Sequence, residues 1–243
     1  MNLLRTDHGV SIVLPATGGG GLLPIRQIVG IGRNYAEHAK EQGAEVPDRP
    51  MVFTKSLASL SLSGDPIVIP PVCQDKEQVD YEGELAVVIG RPAKDVSPSD
   101  ARNSASGIIL GYCIANDVSA RWWQKQGSGG QFFRGKSFDS FCPIGPRVVD
   151  AAEVGDPMSL RIRTTLNGEP VQDASTGDMI FSVFDLIADL SRGATLLPGT
   201  IILTGTPSGV GMGRNPPRFL REGDRVRIEI EKLGSIENPV IGG

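Results

Sequence analysis

Asp80-Tyr81-Glu82-Gly83-Glu84-Leu85-Ala86-Val87-Val88-Ile89-Gly90 sets two carboxylates two residues apart and then runs into an apolar, largely β-branched segment. A short apolar run of this kind predicts a buried strand. Successive strand side chains alternate between faces, so Glu82 and Glu84 share one face at the strand's mouth. Two carboxylates that close push one another toward protonation unless a cation, a basic side chain or a metal ion, stands beside them. Taken alone, the E-x-E pattern also fits a solvated strand end, so the rest of the chain has to decide between the two.

The 243 residues are enough for one large domain with a well-buried core. Lys and Arg number 24 against 28 Asp and Glu, a net charge of −4 without basic blocks, which speaks against a nucleic-acid partner. Gly and Pro together make up about a fifth of the chain and long helical patterns are scarce, so mostly β structure is expected, as many short strands joined by turns. Cys73, Cys113 and Cys142 are odd in number and widely spaced, which argues against a disulfide framework or a zinc knuckle and for a reducing compartment. The N-terminal residues lack the apolar stretch of a signal peptide, and no run reaches the length of a membrane span. A cytoplasmic protein is expected, or one of the mitochondrial matrix if a presequence has been trimmed.

Residues 1–24 read as a short β lead-in, with a strand over Val10 to Leu14 and a glycine break at Gly18-Gly19-Gly20-Gly21; residues 25–243 form the main domain. Ile25 to Gly32 predicts a strand, and Arg33 to Gly43 a helix on which His38 and Glu41 share a face. His38 is one of two histidines, and a histidine oriented by a carboxylate is a recurrent proton-transfer pair, although a surface helix histidine fits the local pattern as well. Further strands are expected over Met51 to Lys55, Ile67 to Ile69, Ile108 to Ala115, Leu196 to Thr204 and Arg225 to Glu231. Ser97 with Pro98 predicts a capped helix start, and Phe181 to Ser191 an amphipathic helix ending at Gly193. Asn167-Gly168 between Leu160 to Leu166 and Glu169 to Gln172 predicts a type I′ hairpin. Gly127 to Gly130 reads as a flexible loop, and Lys136, among aromatics, as either a snorkelling surface lysine or an ammonium offered to an anion. Thr204-Gly205-Thr206-Pro207-Ser208-Gly209-Val210-Gly211 is glycine-rich without the Gly-Lys-Ser/Thr of a P-loop, yet its backbone N–H groups suit a carboxylate.

Asp117 follows the apolar run Ile108 to Ala115, an expensive place for an unpaired charge. With Glu82 and Glu84 it gives three oxygen donors without a thiol, which suits Mg²⁺, Mn²⁺ or Ca²⁺ rather than zinc. Water would fill the remaining positions, leaving room for a small 2-oxo acid.

The ordered set Gly32-Arg33-Asn34-Tyr35 with His38 and Glu41, Asp80 to Leu85, Asn116 to Arg121, Gly135-Lys136-Ser137-Phe138-Asp139 and Thr204 to Gly211 strongly resembles the fumarylacetoacetate hydrolase family, over almost everything from Arg26 to Val240. Within it, the chain is most similar to the fumarylacetoacetate hydrolase domain-containing branch. The resemblance implies an α+β, mainly β fold, a mixed β-sandwich roll with short helices, and a homodimer. It implies metal ligation by Glu82, Glu84 and Asp117, a His38–Glu41 dyad on a mobile helical lid, Lys136 as electrostatic partner, and Arg33, Arg121, Gln124 and Thr206 near the substrate. Where the eponymous enzyme has a further metal carboxylate this chain has Val29-Gly30-Ile31, so a water is expected there.

The expected function is divalent-metal-dependent hydrolysis of a C–C bond in a small 2,4-dioxo acid of the acylpyruvate or fumarylpyruvate type, through a stabilised pyruvate enolate. The alternatives are an oxaloacetate tautomerase or decarboxylase, an isomerase or hydratase of a related dioxo acid, and, outside catalysis, a metal-binding assembly module.

Overall fold

The computed structural model describes residues 1–243 apart from 8, 17–18, 42, 44 and 104–105. The apolar run after Glu82 becomes strand β9 (Gly83–Ile89), buried at every residue. It lies fourth in a seven-stranded mixed sheet ordered β5 (Met51–Lys55), β4 (Gln27–Gly32), β15 (Thr200–Leu203), β9, β10 (Ile109–Asn116), β12 (Cys142–Asp150), β6 (Leu60–Leu62). Leu85, Val87 and Ile89 join one apolar cluster, Ala86 and Val88 another. The first cluster is closed by Val226, Ile228 and Ile230 of a five-stranded sheet, β14 (Glu169–Ser175), β13 (Arg161–Leu166), β16 (Arg225–Ile230), β17 (Gly234–Gly242), β7 (Ile67–Ile69), and the second by Val10 and Ile12 of a three-stranded sheet, β1 (Leu3–Thr6), β2 (Gly9–Val13), β3 (Leu22–Pro24). Cover on both faces is why β9 reads as a continuous apolar run instead of an alternation. A two-stranded ladder of β8 (Val79–Asp80) and β11 (Ser119–Ala120) completes the strands among the described residues.

The fold is α+β and mainly β, as the resemblance implied. The helices are short: α1 (Ala36–Glu41), α2 (Pro98–Arg102), α3 (Arg121–Gln124), α4 (Phe132–Lys136), α5 (Ala151–Val154) and α6 (Val183–Ser191). Ser97 caps α2 by accepting from Asp100 N–H while Asp100 accepts from Ser97 N–H, and Ser182 and Asp185 repeat this capping box on α6. The Asn167-Gly168 turn has both residues at positive φ, 54° and 85°, as a type I′ hairpin requires.

Several boundaries differ from the sequence reading. The helix expected over Arg33 to Gly43 starts only at Ala36. Arg33 sits at φ 55°, and Asn34 spends its side chain on Phe181 and Thr204, so neither can enter the helix. Its residue Gln42, and Gly18 of the glycine break, lie outside the described residues. Strands β6, β12 and β17 were not foreseen: Pro143, Gly145 and Pro146 interrupt the pattern of β12, and Pro239 that of β17. Among the described residues no helix is long and apolar enough to cross a membrane.

Candidate active site

Strands β9 and β10 pair antiparallel with Ala115 opposite Glu84 and Asn116 opposite Gly83. The pairing extends past the strand ends: Asp117 N–H donates to Glu82 O (2.9 Å), and Glu82 N–H donates to Asn116 Oδ1 (3.0 Å). This register turns two distant motifs into one cluster. The carboxylates of Glu82, Glu84 and Asp117 are all buried, with ligand oxygens within 4.8 Å of one another, the only such cluster of possible metal ligands among the described residues.

Three buried cations surround it. Lys136 Nζ lies 2.6 Å from Glu82 Oε2 and 2.5 Å from Asp117 Oδ2. Lys55, from the end of β5, places Nζ 2.5 Å from Asp117 Oδ1. Arg121 lies with Nη1 2.7 Å from Glu82 Oε1 and donates from Nε to Asp80 Oδ2 (2.8 Å). Glu84 differs from its neighbours: it has no ion-pair partner among the described residues, and Oε2 accepts only a backbone hydrogen bond from Gly205 N–H (2.7 Å). Burial first, then the charges of Asp117 and Glu82, push its carboxyl well above the ordinary range. Burial acts on Glu82 in the same direction, but Lys136 and Arg121 outweigh it and hold Glu82 well below that range. On Lys136 burial works against the charge, and Asp117 and Glu82 outweigh it, raising its pKa. An all-oxygen donor set with one uncompensated carboxylate fits a hard divalent cation.

The lysine reading of the sequence is thereby resolved toward the interior. Lys136 is 2% exposed, its ammonium 5.0 Å from the centroid of the Phe53 ring. It is delivered by Gly135, where a Cβ would lie 2.4 Å from Gln124 N and 2.8 Å from Ala120 O, so only glycine lets α4 approach α3 this closely.

The dyad stands by the same cavity as Glu82 and Glu84. His38 Nδ1 is 3.1 Å from Glu41 Oε2, and Glu41 Oε1 accepts from Gly209 N–H (2.9 Å). His38 is 3% exposed, which removes the surface-histidine reading. His38, Arg33, Glu82, Glu84, Gln124, Lys136 and Thr206 line one small cavity of about 20 Å³ together with Phe53 and Phe132, whose ring centroids are 5.5 Å apart. Arg33 brings a buried Nε with no hydrogen-bond partner among the described residues. Glu41, Asp117 and Arg121 reach the cavity through their partners instead of lining it. Thr206 lines it, but its hydroxyl is engaged, donating to Gly83 O (2.9 Å) and accepting from Gln172 Nε2 (2.7 Å). The glycine-rich loop does present N–H groups to carboxylates as foreseen, but they are the chain's own: Gly205 to Glu84, Gly209 to Glu41, Gly211 to Asp80.

The sequence reading assigned nothing to Lys55 or to Asp80. Lys55 ends an ordinary-looking strand, and its partner lies 62 residues on, so no local signal marks it. Asp80 stood in plain view in the opening motif, and its burial beside two glutamates was the available clue.

The family model described as Fumarylacetoacetate (FAA) hydrolase C-terminal matches residues 27–241. The chain belongs to this family. Its members generally bind a divalent metal, and the acidic triad is the group able to hold one here. This family member is 46% identical over 215 residues to oxaloacetate tautomerase fahd2, mitochondrial, of Xenopus laevis, covering 88% of this chain and 65% of the relative. It is 46% identical over 219 residues to oxaloacetate tautomerase YisK of Bacillus subtilis (strain 168), covering 89% and 70%. The chain thus spans about two thirds of the length of these curated relatives. Among solved structures, a 5-carboxymethyl-2-hydroxymuconate delta-isomerase from Mycobacterium smegmatis superposes with a TM-score of 0.77 at 38% identity, over 96% of this chain and 83% of that one.

Proposed function

We propose that this family member is an oxaloacetate tautomerase, interconverting the keto and enol forms of a small 2-oxo dicarboxylate. The observation that carries the reading is the pairing in one cavity of a carboxylate-paired histidine with Glu82 and Glu84 of the buried three-carboxylate cluster. The names of both relatives support the substrate, and the isomerase among the solved structures supports the reaction class. The reading departs from the expected C–C hydrolysis, because the motifs shared across the family do not separate these reactions, and the relatives favour the former alternative.

A divalent cation held by Glu82, Glu84 and Asp117 supplies, when bound, polarisation of the substrate's 2-oxo oxygen. The chain's own residues do the rest. In the tautomer whose Nδ1–H donates to Glu41, Nε2 of His38 is the nitrogen that takes the proton from C3. The C3–H electron pair becomes the C2–C3 double bond, and the His38 imidazolium returns its proton to the C2 oxygen to give the enol, so the reaction is a proton shift without consumption of water. Arg33 and Gln124 take up the substrate's carboxylates from the cavity wall. Lys136 and Arg121 hold Glu82 ionised, and Lys55 and Lys136 form ion pairs with Asp117. Phe53 and Phe132 cover the cavity and keep bulk water from the reacting carbon.

The test is a spectrophotometric assay of oxaloacetate enol decay with and without Mg²⁺, run beside cleavage assays on acetylpyruvate and fumarylpyruvate. Mg²⁺-dependent acceleration of enol–keto exchange is expected. Cleavage of the acylpyruvates with no effect on oxaloacetate exchange would return the function to C–C hydrolysis.

A further inference from the structure

Asp80 is fully buried, belongs to neither the cation cluster nor the dyad, and is bound on both carboxylate edges. Its Oδ1 accepts from Gly211 N–H (2.7 Å) and Tyr81 N–H (2.9 Å); its Oδ2 accepts from Arg121 Nε (2.8 Å) and Met212 N–H (3.0 Å). Between them the two oxygens reach both halves of the site, Oδ1 through the loop and Oδ2 through Arg121 and the loop together. Through Arg121, whose Nη1 lies 2.7 Å from Glu82 Oε1, Asp80 reaches the cation cluster. Through the backbone of Gly211 and Met212 it pins the glycine-rich loop, and that same loop donates from Gly209 N–H to Glu41, the partner of His38. The closeness is built in, since a Cβ at Gly211 would lie 2.6 Å from Asp80 Oδ1 and 2.1 Å from Arg218 O.

We propose that Asp80 is a positioning residue that holds Glu82, through Arg121, and the Glu41–His38 dyad, through the Gly211–Met212 backbone, in one mutual geometry. A guanidinium fixed by a carboxylate on one side presents its remaining N–H groups in a rigid plane on the other, so the Glu82 oxygens are aimed from behind. The loop contact fixes Gly209 N–H in turn, and with it the height of Glu41 over the cavity. An amide at position 80 keeps the shape of the carboxylate but can accept on one edge only, so it loses either Arg121 and Met212 or Gly211 and Tyr81, and the loop loses a contact in both cases, whereas alanine removes every link.

The metal half is tested without any substrate, so it stands apart from the tautomerase reading. Isothermal titration with Mg²⁺ is expected to show the affinity of Asp80→Ala lowered by roughly 10–100-fold, the range for loss of a group that orients a metal ligand. The dyad half is tested by a double-mutant cycle at saturating Mg²⁺ on whichever substrate the wild type turns over. Asp80→Asn should lower kcat in the wild-type background and have a much smaller effect in Glu41→Gln, where the placed base is already lost. A folded Asp80→Ala protein with wild-type Mg²⁺ affinity, or an Asp80→Asn protein whose kcat effect adds fully to that of Glu41→Gln, overturns the proposal. Should Asp80→Ala not fold, Arg121→Lys keeps the charge but loses the planar bridge. It is expected to weaken Mg²⁺ binding, and unchanged affinity in that variant likewise overturns the link to Glu82.

Discussion

Lys55 and Asp117 show how much of this site rests on buried charge that no local pattern announces. Both side chains are essentially inaccessible, with Nζ 2.5 Å from Oδ1, and Asp117 keeps Lys136 as its second cation. Lys55→Met leaves Asp117 half-compensated in the interior, so a stability loss of about 3 kcal/mol is expected, the low end of the range for breaking a buried pair. Urea unfolding checks this, and a midpoint equal to wild type would show that Lys136 alone suffices. His38→Ala is the complementary case: kcat should fall by roughly 10²–10⁴-fold, the range for removing a general base, while Mg²⁺ affinity stays near wild type because the dyad lies outside the cation cluster. Unchanged kcat at metal saturation would remove His38 as the base. The acids Glu82, Glu84 and Asp117 drew attention because they abut apolar runs, whereas His38 was singled out by its scarcity and by the family resemblance, since a surface helix histidine fitted the local pattern as well. Lys55 was not, since its contact is set by sheet assembly and β5 alone reads as an unremarkable alternating strand.

At the level of elements, legibility followed the range of the forces involved. The Asn167-Gly168 hairpin and the capped start at Ser97 were readable because their determinants are four residues or fewer apart. The start of α1 was not, because Asn34 is withdrawn from the helix by partners near residues 181 and 204. The α3–α4 contact is of this long-range kind too, and it carries two candidate site residues, Gln124 and Lys136, on facing elements. Gly135→Ala would set a methyl against backbone N and O atoms at 2.4 and 2.8 Å, contacts that no side-chain rotation can relieve. The helices must separate, at about 1–3 kcal/mol for overpacking, and Lys136 moves away from Glu82 and Asp117 as they do. Thermal melting should show the destabilisation, and kcat should drop further than folding alone explains. A variant with lowered melting temperature but full kcat would show that Lys136 is held by its ion pairs and not by the helix contact.

Over the whole molecule, the imbalance at Glu84 makes stability depend on pH in a direction that metal reverses. In the unfolded chain its carboxyl titrates near the ordinary value, whereas in the fold burial and the charges of Asp117 and Glu82 raise it well above. Between those two values the native state holds a proton that the unfolded chain has released. Glu84's contribution to stability is therefore fully present below the ordinary carboxylate value and lost as pH rises through the folded one. Glu82, held low by Lys136 and Arg121, acts in the opposite sense: its contribution is present above the ordinary value and lost in acid, so the two effects separate along the pH axis. A divalent cation binds the ionised form of Glu84 and must displace its proton, so metal affinity grows over the pH range in which the metal-free protein weakens. Melting curves in Mg²⁺ and in chelator, taken from about pH 5 to about pH 8, should therefore diverge as pH rises. Glu84→Gln should flatten the chelator series by removing the titrating group, and should abolish most of the Mg²⁺ increment by removing a ligand. A Mg²⁺ increment that is constant across that range in the wild type, or undiminished in Glu84→Gln, would mean that the cation sits elsewhere and that Glu84 is a neutral acid buried for packing alone.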